Sequence, residues 1–375
     1  MNYTESHDTL RSLFINNTDE IRITGSGVKI HNLSFRSDPD TDIFVSTQDR
    51  MICENNCFTY PVLEPPFPGK KVILLFHGLN ERSWIKYLSW AHWLAENTNS
   101  YVILFPISFH INRSPESWRD PRSMGPFVES RSIEIGKTDK LSFANVALSN
   151  RLTEDPMRFF VSGHQTVSDL IKLLTSIKSG EHDIIPGDSH IDIFAYSIGA
   201  FLAEILMLSD PERLFTNSRL FMFCGGSVFS NMNGTSKLIM DSYAFKKVYD
   251  YYLNDFESIL NKRNRLTDFL INTSLGMAFR SMIDLGRLRS FREQIFRRLK
   301  DQIQCVVLQN DTVIPAKGVL DTLRETGRKD IIKINEFPFP CSHENPFPLF
   351  RDNRSNQVDG CFEQVFSNAG LFFAS

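Results

Sequence analysis

An α/β architecture around a mostly parallel sheet is the expectation from this chain, and two patterns lead to it. Six short apolar runs recur between residues 71 and 337, most of them apolar on both faces. Helical stripes separate them. Strands of a parallel sheet covered on both sides carry such runs, because neither face meets water. Their alternation with amphipathic helices argues for an α/β fold.

Taken in order, residues 1–60 are polar and irregular, with strand-like scraps such as DIFVST at 42–47. PVLEPPFPGK at 61–70 is too rich in proline for a helix or a central strand. KVILLF (71–76) is the first run and YVILFPI (101–107) the second. Between them, SWIKYLSWAHWLAEN (83–97) sets Trp84, Tyr87, Leu88, Ala91 and Leu94 on one helical stripe. The connection 108–161, rich in Arg, Ser and Pro, is too long for a plain crossover. A helix over 162–180 carries Val167, Leu170, Ile171, Leu174 and Ile177 and ends at Gly180, as a C-cap would. HIDIFAY (190–196), RLFMFC (219–224), QCVVLQ (304–309) and IIKINEF (331–337) are the remaining runs.

The stretch 227–301 has strong helical periodicity, with an aromatic stripe at Tyr243, Phe245, Tyr249, Tyr252 and Phe256 expected to be helix core. Long insertions of this kind are commonly lids, so we read it as a helical cap over the end of the sheet. The expected organisation is an N-terminal extension packing on the core over 1–65, a core of 66–226 and 302–375, and a cap over 227–301.

The bulk numbers exclude some partners. A formal net charge of -3 on 375 residues, with both signs mixed, gives no reason to expect nucleic acid or an anionic membrane. The basic cluster at 280–300 has Asp284 and Glu293 interleaved and is expected to be a solvated helix face. No stretch approaches the ~18–20 apolar residues of a membrane span, and the N-terminus lacks a signal-peptide core. The expected location is cytoplasmic. The six cysteines form no CxxC pair, and Cys224 and Cys305, inside apolar runs, are expected to be reduced core residues.

Ser197 stands where IDIFAYSIGAFLAEIL changes from strand to helical period. A tight strand-to-helix turn exposes one strained residue, and its neighbours two before and two after must be small. Here they are Ala195 and Gly199. The following helix aims its N-terminal dipole at the same point. A serine N-cap looks the same locally.

A serine hydroxyl needs a base, and the base needs an orienting group. Asp311 follows the fifth run; it is either that group or a turn aspartate before the next helix. His343, just beyond the sixth run, is the only histidine after the serine. The candidate catalytic set is therefore Ser197, Asp311 and His343. The first run ends in His77–Gly78, so the N–H groups of Leu79 and Ile198 are the candidate oxyanion donors. His77 is expected to support that loop. Arg113 and Trp118, in the loop after the second run, and Tyr196 beside the serine are candidate substrate contacts. The alternative for the loop pair is that they tie the loop together.

With these motifs the chain resembles the α/β-hydrolase superfamily over roughly residues 70–370. The resemblance rests on His77–Gly78, the elbow Ala195-Tyr196-Ser197-Ile198-Gly199, Asp311 and His343, with alanine replacing the usual first glycine of the elbow. It implies a mostly parallel central sheet of about eight strands flanked by helices, with a cap inserted after the sixth. It also implies acyl-enzyme chemistry on a small-molecule acyl substrate, with no cofactor and no metal. A serine rather than an aspartate at the elbow argues against epoxide hydrolases and haloalkane dehalogenases. Cleavage of a carboxylic ester or related acyl bond leads. Thioesterase, amidase, peptidase or acyltransferase chemistry uses the same triad, and a non-catalytic binding protein on this fold is the alternative from another class.

Overall fold

The computed structural model describes residues 1–14, 18–38, 44–136, 138–326 and 330–375. Nine strands in these residues form a single sheet: β1 (Glu20–Arg22), β2 (Lys29–Arg36), β3 (Cys57–Glu64), β4 (Lys71–Phe76), β5 (Tyr101–Leu104), β6 (His190–Tyr196), β7 (Leu220–Phe223), β8 (Ile303–Leu308) and β9 (Ile332–Asn335). Their order across the sheet is β1-β2-β3-β5-β4-β6-β7-β8-β9. The six from β4 onward are parallel, and each falls on one of the apolar runs. Buried side chains pack in two clusters, one on each face, which is why the runs carry no polar alternation.

The N-terminal segment differs from its irregular appearance in the sequence. It adds β1, β2 and β3 as antiparallel strands, so the sheet has one strand more than about eight. Pro61 lies inside β3, contrary to the exclusion of a central strand there. The ladder tolerates it for a geometric reason. Asn32, opposite Pro61, donates its N–H away from β3 to Asp19. Pro61 therefore stands in a non-hydrogen-bonded pair with β2, and its missing N–H falls on the β5 side, where pairing begins only at Val62. In DIFVST, residues 42 and 43 lie outside the described residues, and Thr47–Arg50 is a helical turn rather than a strand.

Helices cover both faces. Ile85–Thr98 buries Tyr87, Leu88, Trp90, Ala91 and Leu94. Met157–Ser179 starts five residues before the expected position, since Phe160 and Val161 extend the same apolar stripe, and it ends at Gly180 in the left-handed region with φ 77°. The terminal helix Arg354–Ala374 packs beside Tyr3–Leu13, where Tyr3 stacks on Phe362 at 4.5 Å between ring centroids. No helix among the described residues is long and apolar enough to cross a membrane.

Residues 227–301 are largely helical, including Ser242–Asp250, Arg265–Asn272, Ser274–Ser281 and Arg289–Arg298. Tyr252 and Phe256 are core, whereas Tyr243 is exposed. The basic cluster is not only a solvated face. Arg292 is buried, with its guanidinium donating to the carbonyls of Ser281, Asp284 and Leu285. The two long insertions are joined by a buried ion pair: Arg131 donates to Asp241 from Nε and, at 3.1 Å, from Nη2. Asp241 also caps Ser242–Asp250 by accepting from the Ala244 N–H at 2.8 Å.

Removing one partner leaves a buried charge unpaired. Asp241→Ala is expected to lower stability by about 3–5 kcal/mol in urea unfolding followed by circular dichroism. A loss below about 1 kcal/mol would show that the pair does not hold the two insertions together.

Candidate active site

The site begins with the register of β4 and β6. Phe76 pairs with Ala195, so the turn after β4 and the residue after β6 emerge side by side. The chain leaves β4 to form β5 on one side and later β6 on the other, and ligands bind at such a reversal. Ser197 occupies it with φ 57° and ψ −124°, a strained backbone for a residue with a Cβ. Gly199 must be glycine: a Cβ there would lie 2.7 Å from Phe76 Cβ and 2.8 Å from the His77 carbonyl oxygen.

Three side chains from separate strand ends meet here. Ser197 Oγ lies 2.6 Å from His343 Nε2, and His343 Nδ1 lies 2.7 Å from Asp311 Oδ2. The other Asp311 oxygen accepts from the N–H groups of Val313 and Ile314 at 2.9 and 3.0 Å. Asp311 therefore fills both roles open to it, turn acceptor and histidine partner. With carboxylate oxygen facing Nδ1, the proton belongs on Nδ1 and the Nε2 lone pair faces the serine hydroxyl. All three residues are buried.

The turn after β4 is held rigidly. His77 Nδ1–H donates to the Gly78 carbonyl at 2.8 Å, and Nε2 accepts from the Ile107 N–H at 2.9 Å. Burial pushes its pKa well below the ordinary histidine value, which keeps it neutral and able to accept. Tyr87 accepts from the Gly78 N–H at 2.9 Å and donates to Glu81 at 2.7 Å. The Gly78 N–H is thus occupied, leaving Leu79 as the next donor along the turn. Leu79, Ser197 and Ile198 line one cavity together. Tyr87 had appeared in the sequence only as part of an apolar stripe; nothing in that stripe signals its hydroxyl.

The candidate substrate contacts fare differently. Arg113 is fully buried and lines neither of the cavities that contain Ser197. Its guanidinium pairs with Asp169 at 2.7 Å and donates to Ser37 and to Asn55. This corrects its assignment as a substrate contact: a loop arginine with a buried acidic partner is a tie between segments. Trp118 lines a small cavity, with Arg151 over its ring at 4.8 Å. Tyr196 donates its hydroxyl to the His343 carbonyl and stacks on the His343 ring at 19° between planes. It therefore positions the histidine, its hydroxyl being engaged.

Two cavities beside the elbow share Leu79. One is apolar, about 80 Å³, walled by Leu79, Ile198, Phe159, Phe201, Leu275 and Phe279. The other, the more polar of the two, is about 370 Å³ and contains Ser197, His343, Glu81, Arg82, Arg119 and Glu344. No group of three or more metal-ligating side chains occurs among the described residues.

His110, on the apolar cavity, is also buried neutral, its pKa lowered to about 4 by desolvation. The unfolded chain binds a proton near pH 6.5 that the folded chain refuses until about pH 4. Its contribution to stability is complete above 6.5 and falls as the pH drops through that window. Between pH 6 and 5 the wild type should lose about 1 kcal/mol more than His110→Asn in urea unfolding. Equal losses would show that His110 titrates normally in the fold.

The family model described as "Family of unknown function (DUF6051)" matches residues 40–374. No curated protein shows a significant match. Among solved structures, a variant of the esterase rPPE is similar at 10% identity and a TM-score of 0.50, over 99% of this chain and 90% of that one. Carboxyl esterase 2 of the mycorrhizal fungus Tuber melanosporum is 10% identical with a TM-score of 0.48, over 96% of each chain. A variant of LAE6, an α/β hydrolase from the metagenome of Lake Arreo, Spain, is 10% identical with a TM-score of 0.48, over 100% of this chain and 88% of that one. At such identities the likeness speaks for fold alone. The sheet, the elbow and the likeness to the rPPE esterase agree on the α/β-hydrolase fold, and the family model shows that the chain belongs to the DUF6051 family.

Proposed function

We propose that this protein is a serine hydrolase that cleaves a carboxylic ester or related acyl bond through an acyl-enzyme. The observation that carries the proposal is the unbroken relay from Ser197 Oγ through His343 to Asp311, at 2.6 and 2.7 Å, on a strained elbow. Ser197 attacks the carbonyl as His343 Nε2 takes its proton. The same imidazolium then gives the proton to the leaving group, and Asp311 holds the tautomer throughout. The N–H groups of Leu79 and Ile198 bind the oxyanion; losing one such donor typically costs ~2.7–4 kcal/mol of transition-state stabilisation. Water attacks the acyl-enzyme in the reverse sense, with His343 again as base.

The flanking cavities fit this reading. The acyl group enters the apolar cavity, whose walls of Phe159, Ile198, Phe201, Leu275 and Phe279 suit a hydrocarbon chain. The leaving group departs on the His343 side, into the polar cavity. In this proposal residues 227–301 act as the cap, since Leu275 and Phe279 roof the apolar cavity. Residues 1–65 extend the core. On the same reading the protein works in the reducing cytoplasm, where its six free thiols remain reduced.

A fluorophosphonate probe read by intact mass tests the nucleophile. One adduct is expected on wild type and none on Ser197→Ala. Asp311→Asn should lower turnover of a short-chain ester by up to ~10⁴-fold with the fold intact. Undiminished labelling of Ser197→Ala would overturn the mechanism.

A further inference from the structure

The polar cavity beside Ser197 carries charges that the triad does not use. Glu81, Arg82, Arg119 and Glu344 line it. Both carboxylates are engaged. Glu81 pairs with Lys86 and accepts from the Tyr87 hydroxyl at 2.7 Å. Ser236 and Ser342 lie beside the Glu344 carboxylate and, with the nearby His343, lower its pKa against the effect of burial. The two arginines are not so neutralised. Neither has a carboxylate within ion-pair distance among the described residues. The Arg82 guanidinium lies over the Phe143 ring at 5.3 Å from its centroid. Arg119 reaches only the Arg82 carbonyl, at 3.5 Å, and its Nε is buried without a hydrogen-bond partner.

Arg119 lies close enough to act on Arg82. Desolvation lowers the pKa of Arg82, Glu81 raises it, and Arg119, a smaller influence than Glu81, lowers it. Like charges half-withdrawn from water repel, and an anion between them relieves both the repulsion and the unmet donor. Guanidinium forks match the oxygens of a carboxylate or a phosphate in particular.

Position decides which part of a substrate they meet. His343 lines this polar cavity but not the apolar one. The group that takes the proton from His343 therefore leaves on the arginine side. We propose that Arg82 and Arg119 form an anion-binding subsite, and that the preferred substrates are acyl esters whose leaving alcohol carries a carboxylate or a phosphate. This inference rests on the hydrolase reading above.

Two matched ester pairs test it. 4-(Butyryloxy)benzoate is compared with 4-(butyryloxy)benzamide, and 1-butyrylglycerol 3-phosphate with 1-butyrylglycerol. The wild type should prefer the anionic member of at least one pair by ~10-fold or more in kcat/KM. The pair showing the larger preference distinguishes carboxylate from phosphate. In Arg82→Gln and Arg119→Gln that anionic-to-neutral ratio should fall by ~10-fold or more, mainly through KM, with fluorophosphonate labelling of Ser197 reporting the intact fold. Equal turnover within both pairs by labelled wild type, or a ratio unmoved in both variants, overturns the subsite and leaves the hydrolase reading standing. Failure of wild type both to label and to cleave any of the four esters overturns the hydrolase reading, and the subsite with it.

Discussion

The pairing of Phe76 with Ala195 is the constraint on which the rest of the site depends. A parallel ladder has no freedom to slip by one residue without turning every buried side chain to the wrong face. Because β4 and β6 are apolar on both faces, the register is held from both sides of the sheet. It brings the His77–Gly78 turn against the elbow, so closely that only glycine fits at 199. The positive φ of Ser197 then follows from the need to leave β6 and enter Ile198–Ser209 within one residue. Strain of this kind persists where surrounding structure over-determines it, and here two strands and a helix do so.

The parallel half of the sheet and the meeting of Ser197, Asp311 and His343 were legible because uniform apolar runs end just before these three residues. The antiparallel half was not. In β2 the pattern of buried and partly exposed residues gives only Ile30 and Asn32 as fully buried, too weak a period to stand out. In β3 a proline appeared to forbid a strand, and only the direction of the Asn32 N–H explains why it does not. Hydroxyl partners were hidden too. Tyr87 looks like a core aromatic in sequence and Tyr196 like a substrate contact, yet their hydroxyls fix the Gly78 turn and the His343 backbone.

Arginine misleads most of all. Arginines ordinarily remain in solvent, but here several, most of them on helices, are the cores of long-range ties. Arg113 joins Asp169 with the Ser37 and Asn55 of the N-terminal segment. Asp49 binds Arg151 and Arg158 at 2.8 and 3.0 Å. Arg131 joins the two insertions through Asp241. Each tie links segments far apart in the chain, so no local pattern reveals it. Against these, Arg82 and Arg119 stand apart as a cavity-facing pair with no carboxylate of the described residues at ion-pair distance.

One buried acid completes the electrostatic account. Glu204 lies fully buried in Ile198–Ser209, and neither of its carboxyl oxygens has a hydrogen-bond partner among the described residues. Burial raises its pKa well above the carboxylate range, with Arg292 only partly opposing this, so the neutral form is the one that fits. A charged Glu204 would lie along the same helix whose N-terminus faces Ser197 and would weaken the positive potential there. Neutral, it leaves that potential intact where the proposed mechanism develops an oxyanion. The uncompensated carboxyl thus does less harm to the site than an ionised, paired one at the same depth would. Its cost falls on folding, in an unmet hydrogen bond, rather than on the chemistry at the elbow.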